Sequence, residues 1–193
     1  MPMITNPINY TRESFEIIKE ALGHADFDHN CWGRDELQDV RREIRNHYRR
    51  EQRLKCAYCQ NPITAISASG AHIEHIVPKS QHTQFTFEPK NLCVICPDCN
   101  EVKRSRSVTY TPLKNSQPKR YPRSSSAFMI VHPHFDDYND HIIKANRIYI
   151  DRTLKGHWTI GACALNRFYH TFGMCEELVE DLDLIQMEED IHL

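Results

Sequence analysis

The sequence predicts an α+β fold: a small core of short strands and one helix, pinned by a four-cysteine zinc site and flanked by N- and C-terminal helices. Three observations carry this. Two Cys-x-x-Cys pairs, Cys56/Cys59 and Cys96/Cys99, enclose an interval of 36 residues. Within that interval lie alternating and apolar runs of strand length, Ala71–Val77 and Asn91–Ile95. The chain before Arg53 and after Trp158 instead carries the three- and four-residue apolar spacing of helices.

Three stretches follow in order: residues 1–53, 54–106 and 107–193. In the first, Thr11 can cap a helix containing Phe15, Ile18 and Leu22 that stops at Gly23. A second helix is predicted from Asp35 to Gln52, with Leu37, Val40, Ile44 and Tyr48 on one stripe. Its other face carries Arg41, Arg42, Arg45, Arg49 and Arg50, interleaved with Asp39 and Glu43, and reads first as a solvated, salt-bridged surface. The third stretch opens with an exposed Ser/Pro/Lys/Arg-rich connector, Ser107–Ser126. Strands are predicted at Phe128–Val131 and Ile142–Ile150, and a helix at Trp158–Phe172. A final acidic helix, Cys175–Met187, carries Leu178, Leu182 and Ile185 on one face.

Charge is informative in its distribution. The net charge of the 193 residues is −2, which does not announce nucleic-acid binding. Between Lys103 and Phe135, however, stand seven basic residues and no acidic one, and after Arg167 eight acidic residues and no Lys or Arg. The middle of the chain is basic and its end acidic. No apolar run approaches the about 20 residues needed to span a bilayer, and the N-terminus lacks a secretory pattern. The expectation is a soluble, cytoplasmic protein without a membrane partner, whose paired cysteines serve metal rather than disulfides. Cys31, Cys163 and Cys175 read as small buried hydrophobes.

The zinc signal is the most specific. Each Cys-x-x-Cys knuckle turns two thiolates toward one cation, and two knuckles complete a closed tetrahedron of sulfurs. Cys93 precedes Cys96 by three residues, so Cys93/Cys96 is a rival pair. Pro97-Asp98 gives the tight turn that favours Cys56, Cys59, Cys96 and Cys99.

Between the knuckles lie residues suited to phosphodiester hydrolysis, which needs an activated water and a metal to stabilise developing charge. A neutral His75 is a suitable base. The Glu74 carboxylate and the Asn100 amide oxygen are suitable hard ligands for magnesium. On a strand Glu74 and His75 point to opposite faces, so a twist or bulge is needed for both to serve one site. His72, two residues before Glu74, can face the same metal. If Asn100 opens a helix, Lys103 shares its face.

The order Cys56-x-x-Cys59, Ile73-Glu74-His75-Ile76-x-Pro78-Lys79, Asn91-Leu92, Cys96-x-x-Cys99-Asn100-x-x-Lys103 resembles the HNH (His-Me finger) endonuclease family over about a quarter of the chain. The resemblance implies a ββα-metal core with structural zinc and one catalytic Mg²⁺ or Mn²⁺. It implies His75 as general base, Glu74 (where the family often has Asp) and Asn100 as metal ligands, and Asn91 as the brace that orients the histidine. Lys103 would contact phosphate, and Lys79, Arg104 and Arg106 would extend the nucleic-acid contacts. The products would carry a 5′-phosphate and a 3′-hydroxyl, with DNA favoured over RNA. Thr159-Ile160, followed by Leu165-Asn166-Arg167, is further similar to small HNH proteins of bacterial anti-phage systems of the Septu and retron-linked kinds. Their usual partner is a separately encoded ATPase or other regulatory defence protein.

Other features stay open at this stage. His132, His134, Asp136, Asp137 and His141 could form a second metal cluster, although such loops more often pack against a neighbouring module. The basic connector, including Arg120 and Arg123, is a candidate phosphate track with little sequence preference. The acidic end either completes the core, screens the protein's own groove, or docks on a partner. The rival function is a non-catalytic zinc module that binds nucleic acid or protein and needs neither Glu74 nor His75.

Overall fold

A computed structural model describes residues 3–111, 120–176 and 178–183. Helices come first in the chain. α1 (Arg12–Gly23) begins where the Thr11 hydroxyl accepts the Ser14 amide, and the Glu43 carboxylate in turn takes the Thr11 amide and hydroxyl at 2.9 and 3.1 Å. Its inner face is Ser14, Ile18 and Ala21; Phe15 and Leu22, expected inside, are 56% and 47% exposed. The helix is rotated by about one residue from its predicted stripe, with small side chains facing α2.

The second helix keeps its predicted stripe. A 3₁₀ turn at Asp35–Leu37 leads into α2 (Gln38–Glu51), and Leu37, Val40, Ile44 and Tyr48 are fully buried. The Tyr48 hydroxyl donates to the Pro89 carbonyl at 2.6 Å. Just past the helix, buried Gln52 donates to the Val94 carbonyl at 2.7 Å and accepts the Val94 amide at 2.7 Å. Its amide group thus pairs with the sheet edge as another strand would.

Val94 belongs to the central hairpin. β1 (His72–His75) pairs antiparallel with β2 (Leu92–Ile95), placing Glu74 opposite Cys93 and His75 opposite Leu92. α3 (Pro97–Lys103) follows at once, with Pro97 at its first turn and Cys96 as its cap. Both faces of β2 are buried: α2 covers the hairpin, and His134 from the later chain bonds the Leu92 carbonyl.

The C-terminal elements differ from the sequence reading in three places. Phe128–Val131 forms no strand beyond a single bridge, Thr109 to Phe128, although Phe128, Ile130 and Val131 are buried. Its Phe128 and Met129 amides donate to the Ser125 and Val108 carbonyls at 3.1 and 2.7 Å, Thr159 Oγ1 accepts from Val131 at 2.8 Å, and beyond the segment Asp136 accepts from His132 at 2.6 Å. The predicted strand Ile142–Ile150 is a hairpin, β3 (Ile142–Ala145) with β4 (Ile148–Asp151). It turns at Asn146-Arg147, with Asn146 at φ 48°, a conformation asparagine tolerates.

The predicted helix Trp158–Phe172 is two helices, α4 (Leu154–Ala162) and α5 (Arg167–Phe172), broken where Ala164 takes φ 43°. The break frees Asn166 to bond both the amide and the carbonyl of Tyr149 at 2.8 and 2.9 Å, which ties the segment to β4. α4 lies so close to the chain before β3 that a Cβ on Gly156 would meet the His141 carbonyl.

Residues 178–183 are helical, with Leu178 and Asp181 buried. Asp181 accepts from Asn146 Nδ2 at 2.9 Å and Arg147 Nε at 2.7 Å, so this part of the acidic end completes the packing. Ile185 and Met187 lie outside the described residues. Among the described residues, no helix is long and apolar enough to cross a membrane.

His132 and His134 are buried, and among the described residues they belong to no group of side chains placed to hold a metal ion. His134 Nε2 donates to the Leu92 carbonyl at 2.7 Å and its Nδ1 is buried without a partner. Burial pulls His134 down to about 4 and His132 well below its ordinary value, so both fold neutral. Their folded pKa lies below the unfolded one, so the unfolded chain binds more protons as pH falls. Stability is unaffected above about pH 6.5 and drops between about pH 6.5 and 4, by up to ~1.4 kcal/mol per pH unit for each group. His134→Gln, which retains the donor to Leu92, should flatten this slope in urea unfolding series. Parallel wild-type and variant slopes across that window would refute the assignment.

Candidate active site and metal centre

The four predicted cysteines converge. The Sγ atoms of Cys56, Cys59, Cys96 and Cys99 all lie within 4.8 Å of one another, and Cys59 and Cys96 are 3.6 Å apart. A tetrahedral zinc with Zn–S of about 2.3 Å has sulfur–sulfur edges of roughly 3.8 Å, so the donor set suits a four-thiolate zinc site. In the first knuckle the Gln60 amide donates to the Cys56 carbonyl at 3.0 Å, with Gln60 at φ 57°. In the second, Cys96 Sγ accepts the Cys99 amide at 3.5 Å at the start of α3. Cys93, the rival ligand, is buried on β2 opposite Glu74 and takes no part in the cluster.

The C-terminal segments close this centre. Tyr149 donates its hydroxyl to the Cys59 carbonyl at 2.6 Å. Arg167 places Nη1 3.9 Å from Cys99 Sγ while Nη2 pairs with Asp98 at 3.1 Å. Four thiolates on a dication carry a net charge of −2, which a guanidinium at that distance offsets. The Leu165-Asn166-Arg167 segment therefore supports the fold, since Asn166 grips β4 and Arg167 grips the sulfurs.

β1 ends in a cleft of about 530 Å³ lined by His72, Glu74, His75, Lys79, Asn100 and Arg104, among others. Glu74 and His75 alternate on the strand, yet both reach the cleft because β1 stops at His75 and the chain bends over the next two residues. His75 is 6% exposed and bonds the Thr86 carbonyl through Nε2 at 3.1 Å. A carbonyl only accepts, so Nε2 carries the proton and Nδ1 keeps its lone pair. Trp32 stands edge-on to the ring at 4.6 Å between centroids. Burial, reinforced by Lys79, lowers His75 to about 3, so the imidazole is neutral at physiological pH.

Asn91 braces this region. Its Oδ1 accepts the Val77 amide at 2.7 Å, and its Nδ2 donates to the Val77 and Phe85 carbonyls at 3.1 and 3.0 Å. These bonds close the loop from β1 to Thr86, the residue that fixes His75.

Lys103 is the main departure from the sequence reading. Expected on phosphate, it is fully buried, ion-paired with Glu74 Oε1, and donates to the Ile76 carbonyl at 3.1 Å. The physical reason is that Glu74 is itself 6% exposed, and a buried carboxylate demands a cation. Burial pushes the Glu74 carboxyl up, and Lys103 with the Tyr58 hydroxyl (3.5 Å) pulls it back. Both contacts fall on Oε1, leaving Oε2 without a protein partner among the described residues. That oxygen and the Asn100 amide are hard donors in one cleft and fit a magnesium-like ion. His72 lines the same cleft, its Nε2 held by the Ser69 carbonyl at 2.9 Å.

The remaining predicted contacts divide. Lys79 is half-buried and donates to the His29 carbonyl at 2.8 Å at the cleft wall. Arg104 is exposed but paired with Glu101, and Arg106 is exposed. Trp32, Thr86, Tyr58 and Arg45 line or support the cleft without having been anticipated. The first three carry no local signal, and Arg45 was visible only as one of several helix arginines.

Residues 56–106 match the family model described as HNH endonuclease. A match to that family implies nuclease-type cleavage of nucleic acid in general terms. No curated protein matches the chain.

The metal corner and the buried ion pair can be separated by mutation. Cys96→Ala should release the metal and unfold the module, whereas Cys93→Ser should retain one zinc per chain by elemental analysis. Zinc loss in the Cys93 variant with retention in the Cys96 variant would reverse the ligand assignment. Lys103→Met should cost about 3–5 kcal/mol by stranding the Glu74 charge, and Glu74→Gln in the same chain should restore most of it. Unchanged urea midpoints in Lys103→Met would show that the pair does not matter to stability.

Proposed function

We propose that the chain is a metal-dependent HNH endonuclease with a ββα-metal core formed by β1, β2 and α3. The observation that carries this reading is the set of groups in one cleft: neutral His75 with Nδ1 free, the Glu74 carboxylate, and the Asn100 amide. They lie inside the segment that matches the HNH model.

Glu74 Oε2 and Asn100 would hold Mg²⁺ or Mn²⁺, which when bound supplies charge stabilisation on the phosphate and the departing 3′ oxygen. His75 accepts a proton from the attacking water at Nδ1 while Nε2 keeps its own proton and donates it in the hydrogen bond to the Thr86 carbonyl, which holds the ring in place. Trp32 limits solvent on one side of the ring. Asn91 keeps the Thr86 anchor in register. Lys103 keeps Glu74 ionised and fixed, leaving one oxygen for the ion. Attack in line with the 3′ oxygen leaves a 5′-phosphate and a 3′-hydroxyl.

We assign DNA as the favoured substrate and a role as effector in bacterial anti-phage defence in the cytoplasm, partnered by a separately encoded ATPase or other regulatory defence protein. These assignments rest on the sequence resemblance around Thr159–Arg167 and on the hazard that an unregulated nuclease poses to its host.

The test is cleavage of plasmid, single-stranded DNA and RNA with magnesium or manganese. His75→Ala should lower the rate by at least about a hundredfold, the scale of a lost general base, with zinc content and melting temperature kept. Wild-type cleavage by that variant would remove His75 from the mechanism. Absence of cleavage by wild type on all three substrates, with nucleic-acid binding intact, would favour the non-catalytic zinc module.

A further inference from the structure

A second groove, of about 630 Å³, runs along α2 and shares Arg45 and Ala68 with the cleft that holds Glu74 and His75. Arg41, Arg42, Arg45 and Arg49 line it, with Asp35 the one carboxylate among its lining residues. Arg41, Arg45 and Arg49 follow at four-residue intervals, so their Cα atoms climb one side of the helix in steps of about 6 Å. That step is close to the separation of successive phosphates on one strand.

Backbone carbonyls hold these side chains in place. Arg41 Nη1 donates to the Trp32 and Arg34 carbonyls at 2.5 and 2.8 Å. Arg45 donates through Nε alone, to the Ala71 carbonyl at 2.9 Å, and Arg49 Nη2 donates to the Ser67 carbonyl at 2.5 Å. A carbonyl fixes a guanidinium without neutralising it. Among the described residues no carboxylate lies within 4.0 Å of Arg41, Arg45 or Arg49. Arg49 is buried, so its charge acts from behind, whereas Arg41 and Arg45 are half-buried with donors to spare. Burial and mutual repulsion from Arg49 and Arg41 lower Arg45 from its ordinary value. Like charges held together without counterions are relieved by an anion in the groove.

The described part of the basic connector contrasts with this. Lys103 is committed to Glu74, Arg104 to Glu101, and Arg123 to Glu88 at 3.1 Å, while Arg106 and Arg120 stand exposed and outside the α2 groove. Charge density along the chain pointed to the connector, but the cations gathered in one groove without a carboxylate within 4.0 Å, among the described residues, are Arg41, Arg45 and Arg49 of α2.

We propose that the α2 groove binds the phosphodiester backbone of the nucleic acid, with Arg41 and Arg45 on phosphates, and leads the strand into the cleft. Arg45 is the junction: its anchor, Ala71, is the residue before β1. The proposal rests on the nuclease reading and names the surface through which that site meets its substrate.

The test uses the full zinc-loaded chain carrying His75→Ala, so that binding is read without cleavage. Anisotropy of labelled duplex DNA and of an RNA of the same sequence is followed across a salt series. Arg41→Gln with Arg45→Gln, which can retain the carbonyl bonds, should weaken binding at least about tenfold and reduce the salt slope by about 2. Arg120→Gln with Arg123→Gln should leave the slope nearly unchanged. Gln38→Lys, an exposed groove position, should raise the slope by about 1, and reads the same surface if the double variant does not fold. An unchanged slope in either α2 variant, or a loss confined to the connector pair, overturns the groove while the nuclease reading stands. A parent that binds neither DNA nor RNA, from a wild type that cleaves neither, overturns the nuclease reading itself.

Discussion

The convergence of four cysteine sulfurs is the constraint on which the rest of the structure depends. Cys56 and Cys59 follow α2, while Cys96 caps α3 and Cys99 lies in its first turn. Bringing them together fixes where β2 must leave the sheet and where α3 must start. The hairpin has only four residues per strand, too few to be stable alone in water. Its outer edge is satisfied by the Gln52 side chain, and its orientation by the metal-binding corner. A small sheet is thus held by a side chain and a thiol cluster where a larger protein would use more strands.

That corner also joins the ends of the chain. Tyr149 reaches the Cys59 carbonyl, Arg167 reaches Cys99, and Asn166 joins the same segment to β4. Asp181 then secures the β3–β4 turn. The C-terminal part acts as a brace across the back of the hairpin. The cleft is lined by other residues, Trp32 and Arg45 among them, so the cysteine cluster and the candidate catalytic surface share a scaffold without sharing side chains.

Polar groups around the cleft are fixed by part of their hydrogen-bonding capacity, the rest being without a partner among the described residues. Thr86 takes one nitrogen of His75 and leaves the other. Lys103 and Tyr58 take one oxygen of Glu74. Ala71 takes one nitrogen of Arg45. In each case the protein supplies enough bonds to fix orientation and desolvate the group, and the remaining valence is the one a substrate or ion can use.

The sequence by itself determined the elements whose signals are local. Knuckle spacing identified the four sulfurs, the apolar stripe placed α2, and Glu74, His75 and Asn100, singled out by their order, line one cleft, with Asn91 buried behind it. Local rules failed where neighbours distant in the chain decided the outcome. Phe15 lies outside because Ser14, Ile18 and Ala21 form the inner face instead, and Phe128–Val131 pairs only by a bridge to Thr109 because the local Ser125 carbonyl and the Thr159 hydroxyl take its Phe128 and Val131 amides. Tertiary structure alone decided which nitrogen of His75 is free, that Lys103 pairs with Glu74, and that Arg41, Arg45 and Arg49 line one groove with no carboxylate within 4.0 Å among the described residues. Those outcomes depend on burial and on which oppositely charged group lies within reach, quantities that periodicity and composition do not carry.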